Sequence, residues 1–445
     1  MRAFTVSLVL FAATASPAAR TDSPALIVHE WGTFTSFQDS NGATIAGINV
    51  DDEPVPGFVH RLRDVPVFTT RSTPAQWSQG APRCHPDVTL RLETPVLYFY
   101  PQPGFPAAQT FDVRASFDGG WLTEFYPFAD AAKSGFPGEL GSGTRGSLQW
   151  TGLRVTADSK SIPQTVEHVW TAPRAVHSAV VTESRRQEAE KYLFYRGVGH
   201  LDAPLIVREV QGSLDIMPRR SDFRPFPELW VIRVQTDGRV RYTHMPAGGQ
   251  GAERVRIPAV DSTSPSAVED LREEIAAALE AQGLYKEEAL AMLDTWELSY
   301  FQSEGLRLMF VLPRSWTDAH LPLTISIPAD VTRVMLGRIE FVSPDQRATL
   351  QRLMQLPDAA FDVKPLYTSD PSVLRDARAG TASHADLYRG AGRDVPEALQ
   401  LYESLGRFRD ALVAHTWKMT SDPASRKRLE RMARLFSACE PDFSR

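Results

Sequence analysis

Eight consecutive residues, His29-Glu30-Trp31-Gly32-Thr33-Phe34-Thr35-Ser36, set an imidazole, a carboxylate, an indole and three hydroxyls side by side. Imidazoles and carboxylates bind transition metals and move protons near neutral pH. His29-Glu30-x-x-Thr33 has the outline of a zinc-protease helix, in which two histidines one turn apart hold the metal and the glutamate is the base. Here Thr33 stands where the second histidine belongs, and Gly32 and Thr33 are poor helix formers. The stretch reads as a strand. On a strand His29 and Glu30 point to opposite faces, so at most one of them serves a given pocket.

A metal site must then recruit distant histidines. His29, His60 and His85 are the expected ligands, with His200 and His244 the other imidazoles available in the β-rich part. Three such donors with one open position suit zinc or another divalent transition metal that activates water. The competing reading makes each histidine a hydrogen-bonded packing residue of a sheet.

The carboxylates Glu30, Glu93 and Glu124 offer a second chemistry. Two carboxyl groups roughly 5–10 Å apart can cleave a glycosidic bond, and Trp31, Trp121 and Tyr126 would give sugars a stacking platform. Against this, Arg91 near Glu93 and Arg338 near Glu340 read as ion pairs that hold a sheet. Candidate substrate contacts are Trp31 and Thr33, joined by Arg314, Trp316 and Asp318 of a segment expected to be a loop after a strand. The alternative is that Arg314 and Asp318 brace that loop while Trp316 plugs the core. Gly141-Ser-Gly-Thr-Arg-Gly146 matches the dinucleotide fingerprint by letter, but no strand precedes it and no helix follows, so it reads as a loop.

The elements that must position these groups change character along the chain. Residues 26–260 are strand-like and turn-rich, and predict a mainly β, antiparallel sandwich-rich half. Phe111 to Phe117 alternates in polarity and Asp118-Gly119-Gly120 turns it into Trp121–Tyr126, a predicted hairpin. A second hairpin is predicted at Asp237-Gly238. Pro95 predicts an edge or a bulge in the strand Arg91–Tyr100. After the Ser/Pro-rich 261–266, residues 261–360 predict an α+β region, opening with a helix capped by Ser266 and Glu269. Residues 361–445 predict a helical tail, with a third helix from Asp422-Pro423 carrying a basic face.

The start of the chain, Met1-Arg2, an apolar run and Ala13-Thr14-Ala15, predicts a signal peptide within residues 1–19 and a periplasmic or extracellular destination. No later stretch predicts a transmembrane helix. Cys84 and Cys439 can form one disulfide in an oxidising compartment, or Cys84 beside His85 can ligate a metal. A net charge of −6 over 445 residues supplies no attraction for nucleic acid or anionic lipid. A small-molecule or carbohydrate substrate remains.

Five stretches together resemble an uncharacterised family of secreted bacterial proteins that begin with a His-Glu-Trp-Gly-Thr-Phe motif. They are His29–Ser36, Glu93–Tyr100, Phe194-Tyr195-Arg196-Gly197, Leu312–Asp318 with Leu321-Pro322-Leu323, and Arg333–Glu340. The resemblance spans most of the mature chain and implies a shared architecture without an activity. The functional expectation is therefore a hydrolase, metal-dependent or not, built around His29 and Glu30. The alternative is a noncatalytic envelope protein that binds carbohydrate or a partner.

Overall fold

The thirteen-residue strand Leu26–Gln38 is buried along nearly its whole length. A strand with no polar face needs cover on both sides, and the fold is arranged to supply it. The computed structural model describes residues 25–50, 55–62, 77–78, 80–132, 136–156, 162–220, 227–235, 237–248, 254–258, 260, 263–361, 384–437 and 439. The expected signal peptide lies outside these residues, as does the start of the expected tail.

Leu26–Gln38 pairs antiparallel with Leu90–Pro101 on one side and parallel with Asp330–Phe341 on the other. Outward from there, Leu90–Pro101 is followed by Tyr192–Gly199 and Gly120–Tyr126, and Asp330–Phe341 by Gly305–Val311, Leu229–Val234 and Val240–Met245. Among the described residues the result is one mixed sheet of 15 strands with helices against it: strand and helix are both present as expected, but residues 26–260 do not close into a sandwich of their own and instead share this sheet with strands of the expected α+β region. The reason lies in burial. From Arg333 onward Asp330–Phe341 is buried on both faces, like Leu26–Gln38, and the two lie beside each other in the middle of the sheet.

Alternation along these strands sorts their side chains into two apolar layers. Val28, Leu97, Leu193, Leu308 and Met335 share a cluster with Phe111–Asp118, Arg145–Thr156 and the small three-stranded sheet of Leu205–Val210, Ser213–Pro218 and Val255–Pro258. Trp31, Tyr98, Phe194, Met309 and Val334 share another with the helices Val268–Ala281 and Lys286–Thr295 and the π-helical turn Leu298–Gln302. A third cluster joins Phe37, Ile48, Trp121 and Val342 to the helices Glu397–Glu403, Arg409–Met419 and Pro423–Phe436.

Local expectations fared unequally. The Asp237-Gly238 hairpin forms, and the helix expected from Asp422-Pro423 is present as Pro423–Phe436. Phe111–Asp118 and Gly120–Tyr126 do not pair as a hairpin. The first joins Arg145–Thr156 and the second joins Tyr192–Gly199, and the Phe117 ring packs over Gly120 and Gly199. Ser266 does not cap the following helix, whose N-cap is Ala267, and its backbone N–H instead donates to Val240. The segment expected as a loop at Arg314 is a short helix, Arg314–His320.

Pro95 sits at a bulge of an interior strand, not at an edge. The register with Leu26–Gln38 shifts between Trp31 and Thr33, and Thr94 takes φ +44°. Gly32 faces this bulge. A Cβ at Gly32 would lie 2.9 Å from Pro95 Cα and 3.1 Å from Met335 Sδ, so the glycine of the opening motif is a close-approach residue between strands.

Candidate functional site

His29 and Glu30 leave the opening strand on opposite sides and find different partners. His29 turns toward the helices, where its Nδ1 lies 2.7 Å from Glu288 Oε2. The same carboxylate accepts from the Tyr100 hydroxyl at 2.7 Å and the Tyr285 backbone N–H at 2.7 Å. The Tyr100 and Tyr285 rings flank the imidazole at 5.3 and 4.6 Å. Burial, followed by the Glu288 charge, pushes the Tyr100 phenol far above its usual range, so it stays a donor.

Glu30, wholly buried, accepts from the Tyr195 hydroxyl and from Arg333 Nε. Arg333 also donates to Asp318 Oδ1 at 2.7 Å and to the Leu321 carbonyl at 2.7 Å. Asp318 in turn holds Arg314 at 2.8 Å. Three residues singled out from sequence, Glu30, Arg314 and Asp318, are thus joined through Arg333. Arg314, Asp318 and Arg333 line a cleft of about 150 Å³ whose other wall is Leu323, Ile325, Ile327, Ala329 and Val331. Charges alternate along this chain and cancel.

Further along the same strand the balance differs. On the helix side Thr33 hydrogen-bonds the Tyr300 hydroxyl, and Thr35 donates to Glu93 Oε2 at 2.9 Å. Glu93 also meets Arg338 Nη2 at 3.0 Å, Arg407 Nη2 at 3.0 Å and Arg91 Nη2 at 3.2 Å. Burial alone would raise the Glu93 carboxyl, but the charges of Arg338, Arg91 and Arg407 and the Thr35 hydroxyl outweigh it and hold it down at about 2. It is a permanent anion.

Beside it, Arg338 is wholly buried under the Tyr300 ring, 5.5 Å from its centroid. Its Nη2 donates to Glu93, its Nε lies 3.6 Å from Glu340 without a hydrogen bond, and its Nη1 has none either. Arg307 donates through Nη1 to the carbonyls of Ser299 and Tyr300, which ties the π-helical turn to the sheet. Burial pulls Arg307 down to about 10; Glu340 opposes that, while Arg338 and Arg407 add to it. Arg307, Glu304, Glu340, Arg407, Phe37 and Phe408 line a narrow cleft of about 20 Å³.

The remaining expected residues are scattered. Glu124 is clamped between Arg61 and Arg196. His60 pairs with Glu188 at 2.7 Å, and His85 with the Gly138 carbonyl at 3.0 Å. His200 bonds the Asp87 carbonyl, and His244 stacks on Trp230 and pairs with Glu228. Among the described residues none of the histidines His29, His60 or His85 belongs to a set of three metal-capable side chains; that set is Cys84, Asp410 and Cys439, and the two cysteines form a disulfide. Trp31, Trp121 and Tyr126 are buried and offer no open platform for a sugar ring. Trp316 packs edge-on against Phe34 at 5.0 Å. Gly141–Gly146 is a turn closed by Thr144, with no helix behind it.

Residues that sequence reasoning left out of the site are Glu288, Tyr195, Tyr300, Arg307, Arg333 and Arg407. The signal for the arginines was present: Arg307, Arg333 and Arg338 each sit inside a run of apolar strand residues, where an unpaired charge is not tolerated. Neither a protein-family profile nor a curated protein sequence matches the chain.

Proposed function

We propose that the protein is an exported binding protein for a small inorganic anion, taken up at the narrow cleft between Phe37, Phe408, Arg307 and Arg407. One observation carries this reading. Arg338, wholly buried between Glu93 and the cleft-lining Glu340, keeps Nε and Nη1 without a hydrogen bond, and buried polar groups ordinarily have an acceptor. Burial is the main cause of the depressed basicity of Arg307; the charges of Arg338 and Arg407 add to it and Glu340 opposes it. Exported placement follows from the charged and apolar start of the chain, and the strands stacked on the sheet are read as a sandwich-like support.

Calorimetric titration of the full chain with phosphate and sulfate tests the proposal. One site is expected, and Arg407→Gln weakens it about tenfold, equal to about 1.4 kcal/mol. Absence of binding by both anions, or unchanged binding by the variant, refutes it.

A hydrolase is the second reading, favoured by the His29–Glu288 contact. A carboxylate on Nδ1 orients an imidazole so that Nε2 can act as base. Screening esters, amides and glycosides with wild type and His29→Asn decides it: hydrolysis lost by the variant supports this reading, and no hydrolysis by wild type removes it.

A further inference from the structure

Asp410 is a buried carboxylate in the first turn of the helix Arg409–Met419. Its Oδ1 accepts from the Tyr402 hydroxyl. Its Oδ2 meets two sulfur atoms, Cys439 Sγ at 3.5 Å and Cys84 Sγ at 3.9 Å. Those sulfurs are bonded to each other. A disulfide carries no S–H, so among the described residues Oδ2 has these two sulfurs and no hydrogen-bond donor. A buried carboxylate oxygen aimed at two sulfurs with nothing to share costs free energy, which points to a second state in which all three atoms have a common partner.

We propose that reduction of Cys84–Cys439 creates a cation site in which Cys84, Cys439 and Asp410 hold one zinc ion. The spacing fits. Tetrahedral zinc, with Zn–S about 2.3 Å and Zn–O about 2.0 Å, requires S···O separations of about 3.5 Å and S···S of about 3.8 Å. The two S···O distances already stand at 3.5 and 3.9 Å, and rotation about the two Cα–Cβ bonds parts the sulfurs. The Tyr402 hydroxyl on Oδ1 is the outer hydrogen bond that orients a ligating carboxylate. His85 is turned away to the Gly138 carbonyl, so the fourth position goes to water. The site uses none of the residues of the proposed anion cleft.

The chemistry balances as follows. A dithiol reductant gives two electrons and two protons to the S–S bond, leaving two thiols and its own disulfide. Zinc then displaces two protons to solvent as two Zn–S bonds and one Zn–O bond form. The ligands come from the segment before Leu90–Pro101 and from the tail, so the ion replaces the covalent tie between them with a coordinate one.

Cobalt titration of the full chain, reduced with a phosphine and kept anaerobic, tests this. One equivalent is expected to give a thiolate-to-cobalt charge-transfer band and the visible absorption of tetrahedral cobalt, both abolished by zinc. The unreduced protein and the double variant Cys84→Ser, Cys439→Ser give neither. Asp410→Asn weakens zinc at least tenfold while the reduced variant keeps the circular dichroism of the reduced wild type. The proposal is overturned if reduced, folded protein gives no band, if Asp410→Asn binds as tightly as wild type, or if reduction alone unfolds the chain before metal is added.

Discussion

Glu30 and Glu93 are carboxylates with no solvent exposure, rooted on neighbouring strands of one sheet and facing opposite sides of it. Glu30 is one link in a neutral alternation, Glu30–Arg333–Asp318–Arg314, whose last members reach the surface. Glu93 stands under three guanidinium groups, with a fourth, Arg307, behind Glu340. Alternation satisfies each charge locally and leaves little for a ligand to add. Concentration of cations around one anion makes that anion indispensable and leaves an unused hydrogen-bonding capacity at Arg338. The second arrangement is costly as structure and useful as a receptor.

The largest expected effect follows from that contrast. Glu93→Gln leaves Arg91, Arg338 and Arg407 buried without their shared anion and costs about 3–5 kcal/mol, read by urea unfolding at pH 7. Glu30→Gln costs less, about 2 kcal/mol, because Arg333 keeps Asp318 and the Leu321 carbonyl. Equal losses would erase the distinction between the two regions.

Acid titration sharpens the same comparison. Glu93 is held at about 2 against an ordinary 4.5, so the unfolded state takes up its proton first as pH falls. The stabilisation is fully present above pH ~4.5 and is lost as pH drops toward ~2, a change of about 3 kcal/mol. Glu93→Gln should flatten that part of the stability curve. A variant as acid-sensitive as wild type would assign the acid limb to other carboxylates.

Much of this was legible in sequence, and the boundary has a physical cause. The opposite facing of His29 and Glu30 follows from the period of a strand, which is local. The bulge at Pro95 and the ends of the helices are likewise local chemistry. Pairing was not legible. Leu26–Gln38 lies beside Asp330–Phe341, about three hundred residues away along the chain, and no periodicity names a partner. For that reason Arg91 and Glu93 were readable as a pair, whereas the convergence of Arg338 and Arg407 on the same carboxylate was not. The ligand of His29 was hidden for the same reason, since Glu288 sits on a helix whose exposed-looking sequence, Lys286-Glu287-Glu288, gives no sign that its third residue is wholly buried.

Gly32→Ala probes the hinge between the two regions, because Gly32 lies between Glu30 and Thr33 on the shared strand. The added methyl meets Pro95 Cα at 2.9 Å, a backbone contact that cannot rotate away. The expected cost is about 1–3 kcal/mol in thermal or urea unfolding. If the bulge transmits between the faces, anion affinity falls with it; if affinity holds, the two regions are mechanically separate.

Thr33→Val is the smallest and most discriminating change. It removes one hydrogen bond, to Tyr300, and keeps the volume of the side chain. The stability loss should be about 1 kcal/mol. Tyr300 keeps its ring over Arg338, and the anion cleft is lined from the Phe37 and Phe408 side. Anion affinity should therefore stay within about twofold of wild type, well under the 1.4 kcal/mol that a tenfold change represents. A larger loss of affinity than of stability would mean that the ligand reaches Arg338 from the Thr33 side of Tyr300, and would move the proposed site from the tail to the middle of the opening strand.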